Sequence, residues 1–236
     1  MECIGKTHIG KVRKNNEDYY FVNGQGLFVL ADGMGGYARG DIASRTAVEY
    51  IKKNYNSAKC ICNNTINYLS EIVQDANRAV YNLSKQGTSN QDMGTTIIIA
   101  YLHEYQLYFA HVGDSRLYLY RDGKLTQLTR DHSLVEELLS SGEITPEEAI
   151  NHPQKNLITR ALGVNEYIEI DTGTAKLFPD DIILLCSDGL SNMLTDQQIL
   201  KFISKEQNLN SLSTALIQAA NTQGGTDNIT VVIGKL

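Results

Sequence analysis

Proline is scarce in this chain, with three residues in 236. No Pro-rich, repeated or low-complexity stretch divides it, so residues 1–236 read as one domain. Cysteine is scarce too. Cys3, Cys60, Cys62 and Cys186 form no C-x-x-C, and the five histidines do not cluster with them, which leaves a structural zinc site without support. Cys60 and Cys62 could hold a soft metal as a C-x-C, but a free cysteine is usually just packed. Long hydrophobic runs are missing. The longest, Ile97 to Leu102, falls far short of the ~20 residues of a membrane span. No basic-then-apolar leader follows Met1. Few scattered cysteines without a leader point to the reducing cytoplasm. Positive charge is also short: 21 Lys plus Arg against 27 Asp plus Glu leaves −6. That argues against nucleic acid or an anionic membrane as a partner. The 42% of hydrophobic residues is enough for a sizeable core.

The periodicity gives the expected elements. Asp18 to Asn23 and Leu27 to Ala31 read as a hairpin parted by Gly24 and Gly26. Apolar residues at three-to-four spacing predict helices over Ile42 to Ile51 and Ile66 to Leu83. Gly94 to Leu102, Gln106 to Val112 and Arg116 to Tyr120 then read as an antiparallel meander. Capping boxes at Ser133–Glu136, Thr145–Glu148 and Thr195–Gln198 open three helices, and Gly142 suits the end of the first. Strands are expected near Ile168 to Leu177, Ile182 to Cys186 and Ile229 to Ile233. Strands and helices come in blocks, which predicts an α+β fold with antiparallel sheets rather than alternating βαβ units. The pattern alone does not choose between two packed sheets covered by helices and one large sheet.

Four aspartates end apolar runs and are followed at once by glycine or a small turn: Asp32-Gly33, Asp114-Ser115, Asp188-Gly189 and Asp227-Asn228. Asn16-Glu17-Asp18 opens the first strand of the hairpin. One such aspartate would be turn chemistry; five strand edges ask for more. If the carboxylates meet, pairs ~4 Å apart repel by ~1–4 kcal/mol. A hard divalent cation removes that cost, and all-oxygen ligation points to Mg²⁺ or Mn²⁺. Two such ions would suit hydrolysis of a phosphate ester.

Competing phosphate chemistries fail on their residues. Gly33-Met-Gly35-Gly36-Tyr37-Ala38 loosely matches a dinucleotide fingerprint, but Asp32 puts a negative charge where the pyrophosphate would lie, and no acid follows near twenty residues on. There is no P-loop, no C-x-x-x-x-x-R at Cys186 because residue 192 is Asn, no D-x-D and no G-x-S-x-G elbow. Without a covalent nucleophile, direct attack by metal-activated water is favoured. Arg13 could grip phosphate oxygens bidentately, although between Lys11 and Lys14 it also reads as a solvated charge. His111 and His132 could be general acids, though a structural role suits isolated histidines better.

Taken in order, Arg13 with Asn16-Glu17-Asp18, Ala31-Asp32-Gly33-Met34-Gly35-Gly36, Gly94-Thr95-Thr96, His111-Val112-Gly113-Asp114-Ser115-Arg116, Asp131-His132-Ser133, Ser187-Asp188-Gly189-Leu190 and Thr226-Asp227-Asn228 resemble the metal-dependent protein phosphatases of the type 2C family in their compact bacterial form. The resemblance spans Gly10 to Thr230. It implies a four-layer αββα sandwich, two antiparallel sheets flanked by antiparallel helices. It further implies a mobile flap over about residues 131–163. In that scheme Asp32 bridges two Mn²⁺ or Mg²⁺ ions, with the Gly33 carbonyl on the second. Asp188 and Asp227 are further direct ligands. Asp18, with Glu17, acts through water, and Asp114 with Asp188 holds a third, looser ion. Arg13 holds the substrate phosphate. The implied activity is hydrolysis of phosphoserine and phosphothreonine on proteins by a metal-bridging water or hydroxide. The implied partners are phosphoprotein substrates, among them serine/threonine kinases and their targets, with a monomer as the default.

Two positions depart from the family. Met34 and Tyr37 stand where relatives carry histidines, so the proton donor to the leaving group is unassigned, and Tyr37 becomes a candidate for substrate choice. The rival readings are a catalytically idle regulatory or binding module with the same fold, and a partner-binding domain whose Asp-Gly pairs are only turns. Asp18, Asp32, Asp188 and Asp227 are all present, which favours the enzyme.

Overall fold

The computed structural model describes all residues except 36–38, 63, 87–92, 151 and 207, and only the backbone of 61, 62 and 150. In chain order the elements are β1 (Glu2–His8), β2 (Asp18–Val22), β3 (Leu27–Met34), α1 (Gly40–Asn54), α2 (Ser57–Cys62), α3 (Thr65–Ser84), β4 (Gly94–Thr95), β5 (Ile97–His103), β6 (Gln106–Val112), β7 (Arg116–Arg121) and β8 (Lys124–Gln127), followed by α4 (Leu134–Ser141), α5 (Pro146–Ile150), β9 (Asp171–Lys176), β10 (Ile182–Cys186), α6 (Asp188–Ser191), α7 (Asp196–Lys205), α8 (Leu209–Thr222) and β11 (Ile229–Lys235). One sheet runs β1-β11-β10-β7-β8. The other runs β2-β3-β5-β6-β9, with β4 beside β3. All pairings are antiparallel.

The layers follow from strand alternation, because successive side chains point to opposite faces. On β3 and β5, Leu27, Val29, Ala31, Ile97, Ile99 and Tyr101 pack with Val48, Ile51, Leu69 and Val73 of α1 and α3. Their neighbours Phe28, Leu30, Ile98 and Ala100 turn the other way, against Leu117, Ile183, Leu185 and Val232 of the second sheet. On that sheet Leu184, Cys186, Val231 and Ile233 face Ile199, Ile203, Leu212 and Leu216 of α7 and α8. Strands apolar on both faces are what a sheet sandwiched between another sheet and a helix layer requires. The expected four-layer sandwich is therefore the observed fold.

Local signals hold at the helix ends. The Ser133 hydroxyl accepts the Glu136 amide at 3.3 Å, Gly142 ends α4 at φ 76°, and Thr195 with Gln198 closes a reciprocal box on α7. The expected meander needs correction. β5 pairs with β6, but β7 does not continue that sheet; it crosses to the other and lies between β10 and β8. Gly113 makes the crossing at φ +105°, where a Cβ would lie 2.5 Å from the Thr96 methyl group.

This crossing positions the site. The Asp32 end of β3 lies beside the start of β2, the starts of β10's neighbours β7 and β11 lie beside its Cys186 end, and Val112 at the end of β6 lies beside Ile97. Gly113–Ser115 links the two sheets at that same end.

Candidate metal centre

β2 and β3 place Asp18 and Asp32 as direct cross-strand partners. Like charges directly opposite destabilise a sheet, so this pairing is a defect unless something positive lies between them. From the other sheet, Asp188 opens α6 just after β10, and Asp227 precedes β11. Asp114 sits in the crossing turn. Asp32, Asp114, Asp188 and Asp227 are half-buried, while Asp18 is only 5% exposed. Hydroxyls of Ser187 and Thr230 donate to Asp18 Oδ2 at 2.7 and 2.6 Å. Its Oδ1 is buried with no hydrogen-bond partner.

The electrostatics show the same crowding. Burial, reinforced by Asp18, Asp188, Asp114 and Asp227, raises the Asp32 carboxyl well above the usual carboxylate range. Burial likewise pushes Asp18 up to about 7, against the pull of the two hydroxyls. Asp188 rises to about 6, first through burial and then through Asp227, and is held down by a hydrogen bond with Asp32. Asp114 rises to about 8 through burial, Asp188 and Asp131. Glu17 is raised by burial and then by Asp41. The donor set is all oxygen, crowded with negative charge and includes an orphaned buried carboxylate atom. It fits a hard divalent cation such as Mn²⁺ or Mg²⁺ and does not fit zinc.

Gly33 is where the backbone comes closest. A Cβ there would lie 2.1 Å from the Gly40 carbonyl oxygen and 2.6 Å from that of Glu17. Gly33 N–H donates to that Glu17 oxygen at 3.1 Å, and Ser44 Oγ donates to it at 2.6 Å. Glu17, Gly33 and the start of α1 are thereby locked together.

Arg13 stands at the exposed rim, its Nη2 donating to Asp227 Oδ2 at 2.6 Å. One of five guanidinium donors is used there, which leaves a fork for a phosphate. The loop carrying Arg13 is fixed by a residue that sequence reading gave no role of its own. Asn228 donates from Nδ2 to the Ile9 and Asn15 carbonyls at 3.0 and 2.9 Å, and its Oδ1 accepts the Glu17 amide at 2.8 Å. Its sequence signal was only its place beside Asp227. Asn228→Ala is expected to lower stability by about 1–3 kcal/mol, the cost of leaving buried polar groups unpaired. Aryl-phosphate KM should rise through the loosened Arg13 loop. Unfolding and steady-state kinetics on the same variant check both, and unchanged values would remove Asn228 from this role.

A second cluster joins His111, His132 and Asp171, whose ligand atoms all lie within 4.8 Å of one another. His132 Nδ1 accepts the Gly113 amide at 3.1 Å, so the ring proton sits on Nε2, 3.3 Å from Asp171 Oδ2. A nitrogen carrying that proton has no lone pair for a metal ion. Arg160 Nη1 already donates to Asp171 Oδ1 at 2.9 Å. Burial depresses the pKa of both rings, His111 to about 4, which makes them poor proton donors near neutrality. The cluster instead ties down the segment of about residues 131–163. Thr159 N–H donates to the His132 carbonyl at 2.9 Å, and Arg116 grips Asp131 through Nη2 at 2.7 Å. A cavity of about 380 Å³ lies beneath this segment, between Val135, Leu139 and Lys155 on one side and Asp114, Asp188 and Met193 on the other. Met34 ends β3 opposite Gly94. Tyr37 lies outside the described residues.

Compared with protein families, residues 4–231 match the model of protein phosphatase 2C. The chain belongs to the protein phosphatase 2C family. It is 38% identical to the serine/threonine phosphatase stp of Listeria monocytogenes over 239 residues, which cover 99% of this chain and 95% of that protein. Among solved structures, it superposes on the Mycobacterium tuberculosis serine/threonine phosphatase PstP/Ppp with a TM-score of 0.92, at 36% identity and covering 100% and 98% of the two chains. It also matches the catalytic domain of the serine/threonine protein phosphatase PstP solved in complex with two manganese ions. There the TM-score is 0.87 at 34% identity, with 98% and 96% of the chains covered. As a member of this family it is a metal-dependent protein phosphatase.

Proposed function

We infer that this protein hydrolyses phosphoserine and phosphothreonine side chains of proteins at the carboxylate cluster between its two sheets. The observation that carries the reading is the facing of Asp18 and Asp32 across one sheet, with Asp188 and Asp227 at the strand ends of the other and Asp114 in the turn that links them. Asp32, Asp188 and Asp227 would hold two Mn²⁺ or Mg²⁺ ions, with the Gly33 carbonyl on the second; Asp18 and Glu17 would act through water, and Asp114 with Asp188 would take a third. When bound, such ions neutralise the carboxylates, polarise the phosphoryl oxygens and activate water for in-line attack.

The chain's own groups supply the rest. Arg13 orients the phosphate with the donors left free by Asp227. Ser187 and Thr230 hold Asp18 in place. The segment of about residues 131–163 acts as a flap bordering the cleft, its base held by His132, Arg116 and Arg160 and its α4 free of fully buried side chains. The leaving alkoxide takes its proton from a group other than His111 or His132. Phosphoproteins are the substrates, and serine/threonine kinases and their targets are the class we assign. No helix among the described residues is long and apolar enough to cross a membrane. We place the enzyme in the cytoplasm, a reading supported by unpaired Cys3, Cys60 and Cys186, and take it as a monomer in one domain.

The direct test is aryl-phosphate and phosphopeptide hydrolysis with and without Mn²⁺, beside Asp188→Asn. Activity that needs the ion and collapses in the variant supports the reading; a folded, metal-replete protein without activity supports the idle module. Tyr37→His is expected to change kcat/KM on phosphoproteins more than on a small aryl phosphate. Equal changes on both would remove Tyr37 from substrate choice.

A further inference from the structure

We propose that the groove between β1 and α8 docks an acidic segment of the phosphoprotein substrate, a reading that rests on the phosphatase activity inferred above. The groove has a volume of about 880 Å³ and is lined by Lys6, His8 and Lys11 from the N-terminal side and by Ile217, Gln218 and Asn221 of α8. Its size falls within the range of ligand sites and exceeds what a lone phosphate needs. The protein carries a net charge of −6, yet none of the described residues lining this groove is acidic. Lys6 and Lys11, gathered beside the His8 ring without a carboxylate, make a local positive field on an otherwise negative molecule, which selects an anionic partner.

The donors are held in place. Lys6 Nζ donates to the Asn210 carbonyl at 3.0 Å and to Thr214 Oγ1 at 2.5 Å, and so stands fixed against α8 with one N–H to spare. His8 Nδ1 accepts the Gly10 amide at 2.9 Å, which puts the ring proton on Nε2 as a donor. The Lys11 amide is anchored to the Gly225 carbonyl at 2.7 Å, while its side chain is exposed. Continuity with the reaction site selects a peptide as the anion. Lys11 is two residues from Arg13, a span of at most about 7 Å. A chain whose phosphate sits on Arg13 brings residues a few positions away over Lys11 and into the groove. Gln218, Asn221 and neighbouring threonines can meet its backbone, and the lysines its carboxylates.

Two phosphothreonine peptides test the proposal, one with glutamates two to four residues from the phosphothreonine and one with alanines there. The wild-type enzyme is expected to favour the acidic peptide by about fivefold in kcat/KM, the size that a pair of exposed ion pairs supports, through KM rather than kcat. Lys11→Glu combined with Gln218→Glu, which leaves the Lys6 anchor intact, should erase that preference, with aryl-phosphate hydrolysis as the internal reference. A labelled, unphosphorylated form of the acidic peptide should bind the wild type more tightly than the variant in fluorescence anisotropy, and lose binding at high salt. Equal kcat/KM for the two peptides in an enzyme active on aryl phosphate would overturn the docking groove while leaving the phosphatase standing. Absence of aryl-phosphate hydrolysis would overturn the phosphatase reading instead, and anisotropy would still decide the groove: binding insensitive to the double substitution sinks it.

Discussion

Asp32→Asn is expected to abolish hydrolysis and, without metal, to make the protein more stable. Asp32 faces Asp18 across β2 and β3 and feels Asp188, Asp114 and Asp227, all of which raise its pKa on top of burial. A carboxylate in that position costs the fold energy unless it is protonated or paired with a cation; repulsion from one neighbour ~4 Å away is ~1–4 kcal/mol at surface-like dielectric. Asparagine keeps the shape and can still bond Asp188. The backbone bonds from Asp32 to Thr95 and Thr96 are untouched by the change. In EDTA the variant should therefore melt about 2–4 °C higher for each kcal/mol of repulsion removed. Mn²⁺ at about 100 times its Kd should stabilise the wild type by about 2.7 kcal/mol and the variant far less. The rate on aryl phosphate should fall about 10³-fold or more, since metal ions contribute several kcal/mol of charge stabilisation. Melting curves in EDTA and in Mn²⁺, beside steady-state rates, test all three. A variant less stable in EDTA, or one that keeps the full Mn²⁺ shift, would show that Asp32 serves the fold and not the ion.

The parts of this architecture that sequence disclosed are those with apolar strands and long amphipathic helices. Leu27–Ala31, Ile97–Tyr101 and Ile182–Cys186 are buried on both faces and read as continuous apolar runs. The strands β1 and β8 carry no such signal. Both lie at sheet edges, where one side is wet and residues such as Lys6, Thr7 and Lys124 blur any alternation. Short α2 carries none either, being only six residues long. β9 begins at Asp171 rather than Ile168 because the Ile168 amide is taken by the Gln74 side chain of α3 instead of a strand partner. The change of sheet after β6 was hidden too, since a strand–turn–strand pattern does not say which sheet the second strand joins. The same limit applies at the site. Acids at strand ends are visible in one dimension, but the facing of Asp18 and Asp32 depends on register, and the clamps made by Asn228, Ser187 and Thr230 join residues some 170–210 positions apart. Only the fold brings them together.

Metal-free protein is expected to lose stability as pH rises from 6.5 to 8.5, and divalent metal to reverse the trend. Aspartate in an unfolded chain titrates near 3.9, whereas Asp18, Asp188 and Asp114 are pushed up to about 7, 6 and 8 in the folded protein, chiefly by burial. Across that interval the folded state binds protons that the unfolded state does not. Stability therefore falls with rising pH until the folded-state pKa values are passed. His111, lowered to about 4 by burial, and His132, lowered in the same way, act in the opposite sense: the unfolded state takes up their protons below about 6.5, so stability is lost as pH falls. From about 7.5 upward the histidines drop out and the carboxyls act alone. The whole rise of nearly buried Asp18 to about 7 is worth about 4 kcal/mol, most of it lost between about pH 4 and 7, so about 1 kcal/mol of it falls in this interval. Asp18→Asn should flatten the slope in EDTA. In Mn²⁺ the wild type should instead gain stability over this interval, because ions displace those protons as they bind and affinity rises with pH. Denaturant unfolding at four or five pH values, with EDTA and with Mn²⁺, separates the cases. A metal-free slope that is flat or rising above pH 6.5 would mean that the clustered carboxylates are ionised and solvated in the folded protein, and that repulsion among them is not what the metal relieves.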